Sequence, residues 1–359
     1  MIVLQVCAYA APYEGNFIKS LYALENELQS QGHCVYYAFP KIASNISWCQ
    51  ELAKRTKVFF LPLRHARLLP ETYIMLRRIV KNEKIDIIHS HFELYDMACK
   101  VASSKHTKVF WHLHDPVNKS PKPGRNIINK LQYSIFSRNV TLLSVCEHYK
   151  DIVLSYGFKG KAAKTVVNGI DLERITFPYE VAEKKYDFLT FGWDFYRKGT
   201  DIILNVLKRL AQEGYTFKFL LNCNDKTKPY IETYIGDENP SWLEIGEPVE
   251  DINSLFCCSK TFIQASRRET FSYAVCEAAY AGMDVLSSDI YGLEWAHSIP
   301  SVSFFENENE IQLYNSLKQR LQKSKTLSGS VVEQSRRVIE SDFSLNVWVN
   351  RILDEYEIQ

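Results

Sequence analysis

Two glutamates, Glu269 and Glu277, are separated by seven residues in a segment that also contains Thr270 and Ser272. If a helix begins there with either hydroxyl residue as its N-cap, its first amides and positive dipole end form a site for an anion such as a diphosphate. At about 1.5 Å of rise per residue, Glu277 then lies roughly 7 to 9 Å from that anion. An extended ligand such as a nucleotide sugar could therefore touch the helix start and both carboxylates.

A second segment with chemical potential contains Gly192, Trp193, Arg197, Lys198 and Gly199. Two cations at a helix start are common on protein surfaces, but they are slightly unfavourable beside the positive dipole end. That position favours an anionic ligand. Cations held in advance near a departing diphosphate stabilise the negative charge that develops as its bond breaks.

These segments resemble the E-x7-E element and the glycine turn with its Lys-Gly helix start in family 4 retaining glycosyltransferases. Residues 167–171, Val-Asn-Gly-Ile-Asp, are similar to the family's interdomain segment, and residues 282–294 to its segment after the second glutamate. The matches follow the family order from Gly15 to Glu294. Trp193 departs from the pattern, because the family usually has arginine at that position. Either Arg197 supplies the missing guanidinium or Trp193 stacks on the donor.

The resemblance implies an α/β protein of the GT-B fold, with two Rossmann-like domains facing each other across a cleft. Residues 1–167 would form the acceptor-side domain and residues 168–342 the nucleotide-sugar-binding domain. Residues 343–359 would form a helix that crosses back to the first domain. The implied activity is transfer of a hexose with retained configuration, from a UDP-sugar on family frequency, to a lipid-linked or surface-glycan acceptor.

The resemblance also assigns roles to residues. The catalytic set is His114, Glu269 and Lys198, with Glu269 at the transferred sugar and Glu277 at the ribose. The donor-binding set is Gly15, Gly192, Arg197, Lys198, Thr270, Phe271, Ser272, Tyr273 and Glu277. The acceptor-side set is Asn16, His91 and Asp115. We expect no metal and no further cofactor, because no Asp-x-Asp motif lies near these segments.

The elements that must position these residues are short apolar runs alternating with amphipathic stretches, which is typical of parallel strands joined by helices. The predicted strands are 2–8, 34–39, 58–61, 85–89, 109–113, 141–145, 163–167, 188–191, 216–221, 243–245, 261–264 and 285–287. Ligands of such sheets bind beyond the carboxyl ends of the strands. That rule selects Gly15, His91 and His114, although Gly15 could be a turn glycine, His91 a structural histidine and Asp115 a helix cap.

The charge is unevenly distributed. Residues 1–165 contain 23 Lys and Arg against 12 Asp and Glu, whereas the remaining residues contain 20 against 30. The basic residues cluster at Lys54, Arg55, Lys57, Arg64, Arg67, Arg77, Arg78, Lys81 and Lys84, and again at Lys119, Lys122, Arg125, Lys130 and Arg138. Beside exposed apolar residues in 58–63 they would hold the protein on an anionic membrane. The alternative is a solvated surface around a strand; nucleic acid is disfavoured because no recognition motif accompanies the charge.

The nine cysteines show no paired metal spacing, and the chain has no basic leader and no apolar run of 18 residues. We therefore expect a cytoplasmic protein, peripheral on the inner face of the membrane if the basic half binds lipid. Two other functions remain open. One is a sugar-nucleotide epimerase of the same fold, and the other is a non-catalytic GT-B partner that stabilises a transferase.

Overall fold

The computed structural model describes residues 1–117, 123–176, 184–236, 240–249, 251–323 and 327–358. The chain divides into two compact units. Unit 1 is Met1–Gly169 together with Leu345–Gln359, and unit 2 is Ile170–Ser344. Two of the predicted membrane-facing cations, Lys119 and Lys122, lie outside the described residues.

Each unit is built on one sheet. The strands in chain order are β1 (Ile2–Cys7), β2 (Cys34–Pro40), β3 (Val58–Leu61), β4 (Ile87–His91), β5 (Lys108–Leu113), β6 (Val140–Ser144), β7 (Ala162–Thr165), β8 (Tyr186–Phe191), β9 (Phe219–Asn222), β10 (Leu243–Gly246), β11 (Ser259–Gln264), β12 (Asp284–Asp289) and β13 (Val302–Glu306). All pairings are parallel. The order is β3-β2-β1-β4-β5-β6-β7 in unit 1 and β10-β9-β8-β11-β12-β13 in unit 2.

Helices connect the strands. They are α1 (Gly15–Ser30), α2 (Ser47–Arg55), α3 (Pro70–Asn82), α4 (Asp96–Ala102), α5 (Pro123–Leu131), α6 (Glu147–Ser155), α7 (Thr200–Gln212), α8 (Lys228–Ile235), α9 (Asn253–Cys257), α10 (Tyr273–Tyr280), α11 (Glu310–Lys323), α12 (Gly329–Phe343) and α13 (Leu345–Tyr356). Among the described residues, every helix is too short or too polar to cross a bilayer.

Apolar periodicity explains how the helices cover the sheets. In α1 the residues Ile18, Leu21, Leu24 and Leu28 recur every three or four positions and are buried against the sheet of unit 1. In unit 2 the buried face of α7 packs on the sheet in the same way. The parallel α/β architecture predicted for both halves is therefore confirmed.

Three predicted elements differ from the observed ones. β4 extends to His91 rather than ending at residue 89, because its polar side chains find partners inside the fold. β13 was not predicted; it is an edge strand of mostly half-buried residues and has a weak apolar signal. The predicted tail helix is interrupted, since α12 ends at Phe343 and α13 begins at Leu345.

The segment 58–63 is a strand rather than an exposed apolar surface. Phe59 and Phe60 are partly buried against the cores on the two sides of the sheet. The exposed apolar side chains that follow are Leu63 and Leu68. The alternative prediction of a strand at 58–61 is confirmed.

The strand orders identify where ligands bind. In open parallel sheets the crevice lies at the point where the strand order reverses direction. That point falls between β1 and β4 in unit 1 and between β8 and β11 in unit 2. The loops after these four strands carry most of the predicted site residues.

Candidate active site

The candidate site of unit 2 is formed by the loops that follow β8 and β11. The backbone N–H of Arg267 donates to the carbonyl of Arg197 at 2.9 Å, which joins the two loops. Gly199 lies where they touch, with a φ of +65°, and a Cβ there would approach the carbonyl oxygen of Ala265 to 2.0 Å. Only glycine fits this position, because it has no side chain and tolerates the left-handed region.

One carboxylate oxygen gathers the polar side chains of both loops. Glu269 Oε1 accepts from Lys198 Nζ at 2.7 Å and from Arg197 Nη1 at 3.2 Å. It also accepts from Ser266 Oγ at 2.9 Å and from Gln264 Nε2 at 3.2 Å. We call these five residues the Glu269 cluster. The cluster places two cations at the switch point of the sheet, as the sequence predicted.

The charge state of Glu269 follows from these contacts. The residue is only 9% exposed, and burial alone would raise the pKa of its carboxyl. The charges of Lys198 and Arg197 and the bonds from Lys198 and Ser266 outweigh burial, so the pKa is lowered. Glu269 is therefore ionised and serves as counter-ion to the two cations. Arg197 also binds Asp194 at 3.0 Å.

Arg267 fixes the geometry of the cluster from outside. Its Nη1 and Nη2 atoms donate to the two carboxylate oxygens of Asp201, each at 2.8 Å, and its Nε donates to Glu308 at 2.7 Å. A bidentate arginine pair is directional as well as strong. This clamp joins the loop before Glu269 to the first turn of α7.

The start of α10 differs from the prediction. Ser272 occupies the N-cap position, but its backbone is left-handed, with φ 61° and ψ 86°. A capping side chain normally needs an extended backbone. The Ser272 hydroxyl instead accepts from Gln264 at 3.1 Å, and no described side chain caps the helix from this position. The predicted capping by Thr270 or Ser272 is therefore wrong, although the helix does begin next to Glu269.

Two predicted donor-binding residues have packing contacts. Phe271 is 1% exposed and stacks on Trp295 with ring centroids 4.5 Å apart. Trp295 Nε1 donates to the Phe271 carbonyl at 2.8 Å. Tyr273 lies edge-on to Phe271 at 5.3 Å. The Phe271 side chain thus supports the loop from the core.

The second glutamate has its own cation. Glu277 is buried within α10 and pairs with Arg174 at 3.3 Å. The carbonyl of Arg174 in turn accepts from Asn253 at 2.8 Å. Glu269 and Glu277 therefore have separate sets of partners. Sequence reasoning missed Arg174, because nothing local in the chain connects it with α10.

Gly192 and Trp193 lie at the end of β8. A Cβ on Gly192 would meet Leu221 at 2.7 Å, so the chain passes close to β9 here. The indole Nε1 of Trp193 donates to Asn222 at 3.3 Å, and the side chain is 37% exposed. The guanidinium that joins the Glu269 cluster comes from Arg197. This placement agrees with the first of the two substitutes considered for the missing arginine.

In unit 1 the loop after β1 leads directly into α1. Gly15 begins this helix with a φ of +57°. Asn16 follows it and is 5% exposed, with its carbonyl accepting from the Ser20 hydroxyl at 2.8 Å. Both residues therefore lie at the switch point, where the sequence placed them.

His91 and His114 meet at the ends of β4 and β5. His91 Nδ1 lies 2.9 Å from His114 Nε2, and Asn168 hydrogen-bonds the His114 side chain. Burial lowers the pKa of His114 to about 3 and lowers that of His91 well below its ordinary range. Both rings are therefore neutral near pH 7. Asp115 is exposed beside them.

Two further histidines, His89 and His112, were not predicted as site residues. They lie one position further inside the sheet, and both are fully buried. The ring nitrogens of His89, His91 and His112 lie within 4.8 Å of one another, which would suit a metal ion. These nitrogens already hydrogen-bond mainly to each other and to Gln5 and Tyr356. A metal would have to replace those bonds.

Two family models match successive parts of the chain. Glycosyltransferase Family 4 matches residues 19–174, and Glycosyl transferases group 1 matches residues 185–322. Together they cover most of unit 1 and most of unit 2, including every loop described above except that of Gly15. The chain is a family 4-type glycosyltransferase.

Solved structures agree on the fold of this glycosyltransferase. A glycosyltransferase from Rickettsia africae has a TM-score of 0.80 at 17% identity, over 99% of this chain and 97% of that one. Anabaena HepE, in complex with UDP and glucose, has a TM-score of 0.77 at 14% identity, over 99% of both chains. The lipopolysaccharide glycosyltransferase WaaG has a TM-score of 0.71 at 15% identity, over 99% of both chains. The GT-B prediction is confirmed.

Two relatives were found by sequence. A protein from the cps region of Klebsiella pneumoniae, of uncharacterised function, is 23% identical over 75% of both chains. The catalytic-type name phosphatidylinositol N-acetylglucosaminyltransferase belongs to the second relative, which is one of the subunits of that human enzyme. It is 22% identical over 81% of this glycosyltransferase, which spans 62% of that longer protein.

Proposed function

We propose that the protein is a retaining enzyme that transfers a hexose from a nucleotide sugar, a UDP-sugar, to a lipid-linked or surface-glycan acceptor. The observation that carries this proposal is the Glu269 cluster. It holds two cations at the switch point of unit 2, where sheets of this class bind nucleotides. Family membership gives the reaction class, and the cluster supplies what the departing diphosphate needs.

The proposed step uses fixed charge. As the bond between sugar and diphosphate breaks, negative charge grows on the bridging oxygen. Lys198 and Arg197 stabilise it without moving, because Glu269 holds them in place beforehand. The acceptor hydroxyl approaches from the face that the diphosphate leaves, and a phosphate oxygen takes its proton. In this scheme Glu269 also binds the transferred sugar, Glu277 binds the ribose and His114 contacts the sugar from unit 1.

The relatives support the choice of donor and acceptor. HepE has been solved with UDP and with UDP-glucose. WaaG is involved in lipopolysaccharide biosynthesis, the human relative is named for transfer to phosphatidylinositol, and the Klebsiella relative lies in a cps region. A uridine-linked donor and a lipid or surface-glycan acceptor are the common chemistry.

A two-stage experiment tests the function. Thermal unfolding with a panel of UDP- and GDP-sugars identifies the donor, because a bound ligand raises the midpoint. That donor is then incubated with lipid and glycan acceptors in excess chelator, and proton NMR is recorded on the initial product. An α-linked donor should give an α-linked product at full rate. A β-linked product, or a requirement for metal, contradicts the mechanism. An epimerised nucleotide sugar, or no binding and no turnover, favours the epimerase or the non-catalytic partner.

We also propose that unit 1 docks on an anionic membrane surface. On α3 the exposed residues Ile74, Arg77, Arg78 and Lys81 are spaced three or four apart and share a face. An apolar residue among cations suits an interface with anionic lipid. Binding to phosphatidylserine vesicles should weaken as salt rises and after charge reversal of the three cations. Reversal of Lys208, Lys226 and Lys260 in unit 2 changes net charge equally and is the control. Equal binding to neutral vesicles excludes this docking.

A further inference from the structure

Unit 1 contains a line of polar side chains joined end to end by hydrogen bonds. They come from three neighbouring strands, from the loop after β5 and from α13, and all are at most 8% exposed. We call them the histidine chain. Its members, in order, are His114, His91, Gln5, Tyr356, His89 and His112.

The outer half of the histidine chain begins at the candidate site. His114 Nε2 lies 2.9 Å from His91 Nδ1, and His91 Nε2 lies 2.9 Å from Gln5 Oε1. An amide oxygen only accepts, so His91 Nε2 carries a hydrogen and donates it. A neutral imidazole has one N–H and one lone pair, which leaves His91 Nδ1 as an acceptor. His114 Nε2 must then be the donor.

The inner half continues from the same amide. Gln5 Nε2 donates to the Tyr356 hydroxyl at 3.2 Å, and that hydroxyl lies 2.6 Å from His89 Nδ1. His89 Nε2 lies 3.2 Å from His112 Nδ1. By the same count Tyr356 donates to His89 and His89 donates to His112. Every member of the histidine chain therefore donates toward His112.

The direction depends on how the Gln5 amide is placed, because its oxygen and nitrogen look alike. The far end provides a separate constraint. His112 Nε2 makes no hydrogen bond of ordinary geometry within the described ranges, and the backbone of Val166 lies beside the ring. Val166 acts to raise the pKa of His112, as a carbonyl acceptor does, although burial lowers it overall. An acceptor at this end requires hydrogen on Nε2, which selects the same direction.

We infer that Gln5 and Tyr356 are positioning residues that hold His114 as the tautomer with hydrogen on Nε2, through the directed hydrogen bonds of the histidine chain. The inference rests on the proposed function only in giving His114 a contact with the substrate. Reversal would require every bond to turn at once and would place a lone pair against the Val166 carbonyl. A fixed tautomer also fixes the ring, so the same nitrogen meets each substrate.

Nitrogen-15 NMR of the histidine side chains tests this in the full-length protein without added substrate. The parent should show His114, His91, His89 and His112 each as a single neutral tautomer. Hydrogen should lie on Nε2 in all four rings. A His114 with hydrogen on Nδ1, or an equal mixture, overturns the inference. The parent spectrum alone decides this, whether or not any variant folds.

The variant is Tyr356→Phe, with Tyr95→Phe as matched control. Tyr95 is equally buried in unit 1 and its hydroxyl donates to the Pro62 carbonyl at 2.9 Å, outside the histidine chain. Without the Tyr356 hydroxyl the Gln5 amide can turn over, so His114 should become a mixture of tautomers. Turnover should fall about tenfold at unchanged donor KM, because a mispositioned group loses its orientation. The control should keep the parent tautomer and turnover.

Other outcomes separate the possible failures. Lower turnover in Tyr356→Phe with an unchanged His114 tautomer means a merely structural role and overturns the inference. Stoichiometric zinc in the purified protein, with lone pairs on the coordinating nitrogens, also overturns it and makes the three inner histidines a metal site. If the tautomers are as inferred but His114→Ala keeps full turnover, the proposed role of His114 fails while the histidine chain stands.

Discussion

At the scale of single residues, the site depends on Glu269 as a counter-ion. Two cations in adjacent loop positions would repel each other and lose hydration if they had no buried partner. Glu269 offsets that cost and orients Lys198 through a 2.7 Å bond. A residue expected only to contact the sugar thus also holds the cation that meets the diphosphate.

The first prediction concerns Lys198. Lys198→Ala should lower turnover by about a hundredfold or more, because it removes a preorganised charge from the transition state. Arg197→Ala should lower it as well. Steady-state kinetics at saturating donor measures both. Lys260→Ala is the control, since it breaks only a surface ion pair with Asp187 in the same unit. Near-normal turnover in both folded variants removes the diphosphate from this segment.

The second prediction separates the two glutamates. Glu277→Gln should mainly raise the donor KM, because a ribose contact is equally strong in ground and transition states. Glu269→Gln should mainly lower kcat. The second change leaves Lys198 without its carboxylate and should destabilise unit 2 by about 3 kcal/mol or more. Thermal unfolding must therefore accompany the kinetics.

Glu244→Gln serves as the control for both glutamate variants. It removes the carboxylate of an exposed ion pair with Lys185 and should change neither constant. If Glu269→Gln raised the donor KM and Glu277→Gln lowered kcat, the sugar and ribose ends of the site would be reversed.

At the scale of elements, close approach between loops sets the position of Glu269. Gly292, in the 3-10 helix Tyr291–Ser298, lies against the backbone of residues 269 and 270. A Cβ on Gly292 would come within 1.9 Å of the Glu269 carbonyl oxygen. Trp295 from the same turn bonds the Phe271 carbonyl. The segment after the second glutamate therefore supports the first one from behind.

The third prediction follows from that contact. Gly292→Ala should displace the Glu269 loop, lower the free energy of unfolding by about 1 to 3 kcal/mol and reduce kcat. Urea unfolding and kinetics measure the two effects. Gly329→Ala is the control, because no atom lies within 4 Å of the new Cβ. An unchanged kcat in Gly292→Ala would show that the loop position does not matter for the reaction.

Element prediction failed where polar residues lie inside the core. The predicted β4 ended at residue 89 because His89, Ser90 and His91 do not look like a buried strand. In the fold all three are fully buried, since Ser90 bonds Asp96 at 2.7 Å and the histidines bond one another through Gln5 and Tyr356. A hydrogen-bond partner from another element makes burial of a polar residue possible, and no local pattern reveals it.

At the scale of the whole molecule, the buried histidines connect stability to pH. Burial, chiefly, lowers the pKa of His89, His91, His112 and His114 in the folded protein from the ordinary value of 6.5. As pH falls below about 6.5 the unfolded chain binds protons that the folded chain does not. Stability is therefore complete above that pH and is lost progressively below it. Burial raises the pKa of Asp96 to about 8 and that of Glu25 less, which opposes the trend, but four histidines outnumber two carboxyls.

The fourth prediction is the resulting slope. Between pH 6.5 and pH 5 the free energy of unfolding should fall, and each buried histidine should contribute at most about 1.4 kcal/mol per pH unit. Urea unfolding at several pH values measures it. His89→Gln should reduce the slope by one proton, whereas His106→Gln, at an exposed position, should not. A stability that stays constant down to pH 5 contradicts the neutral buried state.

The sequence by itself determined the architecture and the location of the candidate site. Alternating apolar runs and amphipathic stretches predict parallel sheets, because strands and helices bury their faces with different local periods. Parallel sheets then direct ligands to the loops after particular strands. Glu269, Lys198, Arg197, Gly15 and His114 follow from that rule together with the family resemblance, without knowledge of any contact.

Only the tertiary structure decided which side chains are partners. Lys198 and Glu269 are 71 residues apart in sequence, and Gln5 and Tyr356 are 351 apart. Such pairs depend on which strand lies beside which and on which helix covers them. The pKa values of the histidines and of Glu269 depend on burial and neighbouring charge, and both arise only when distant segments pack together.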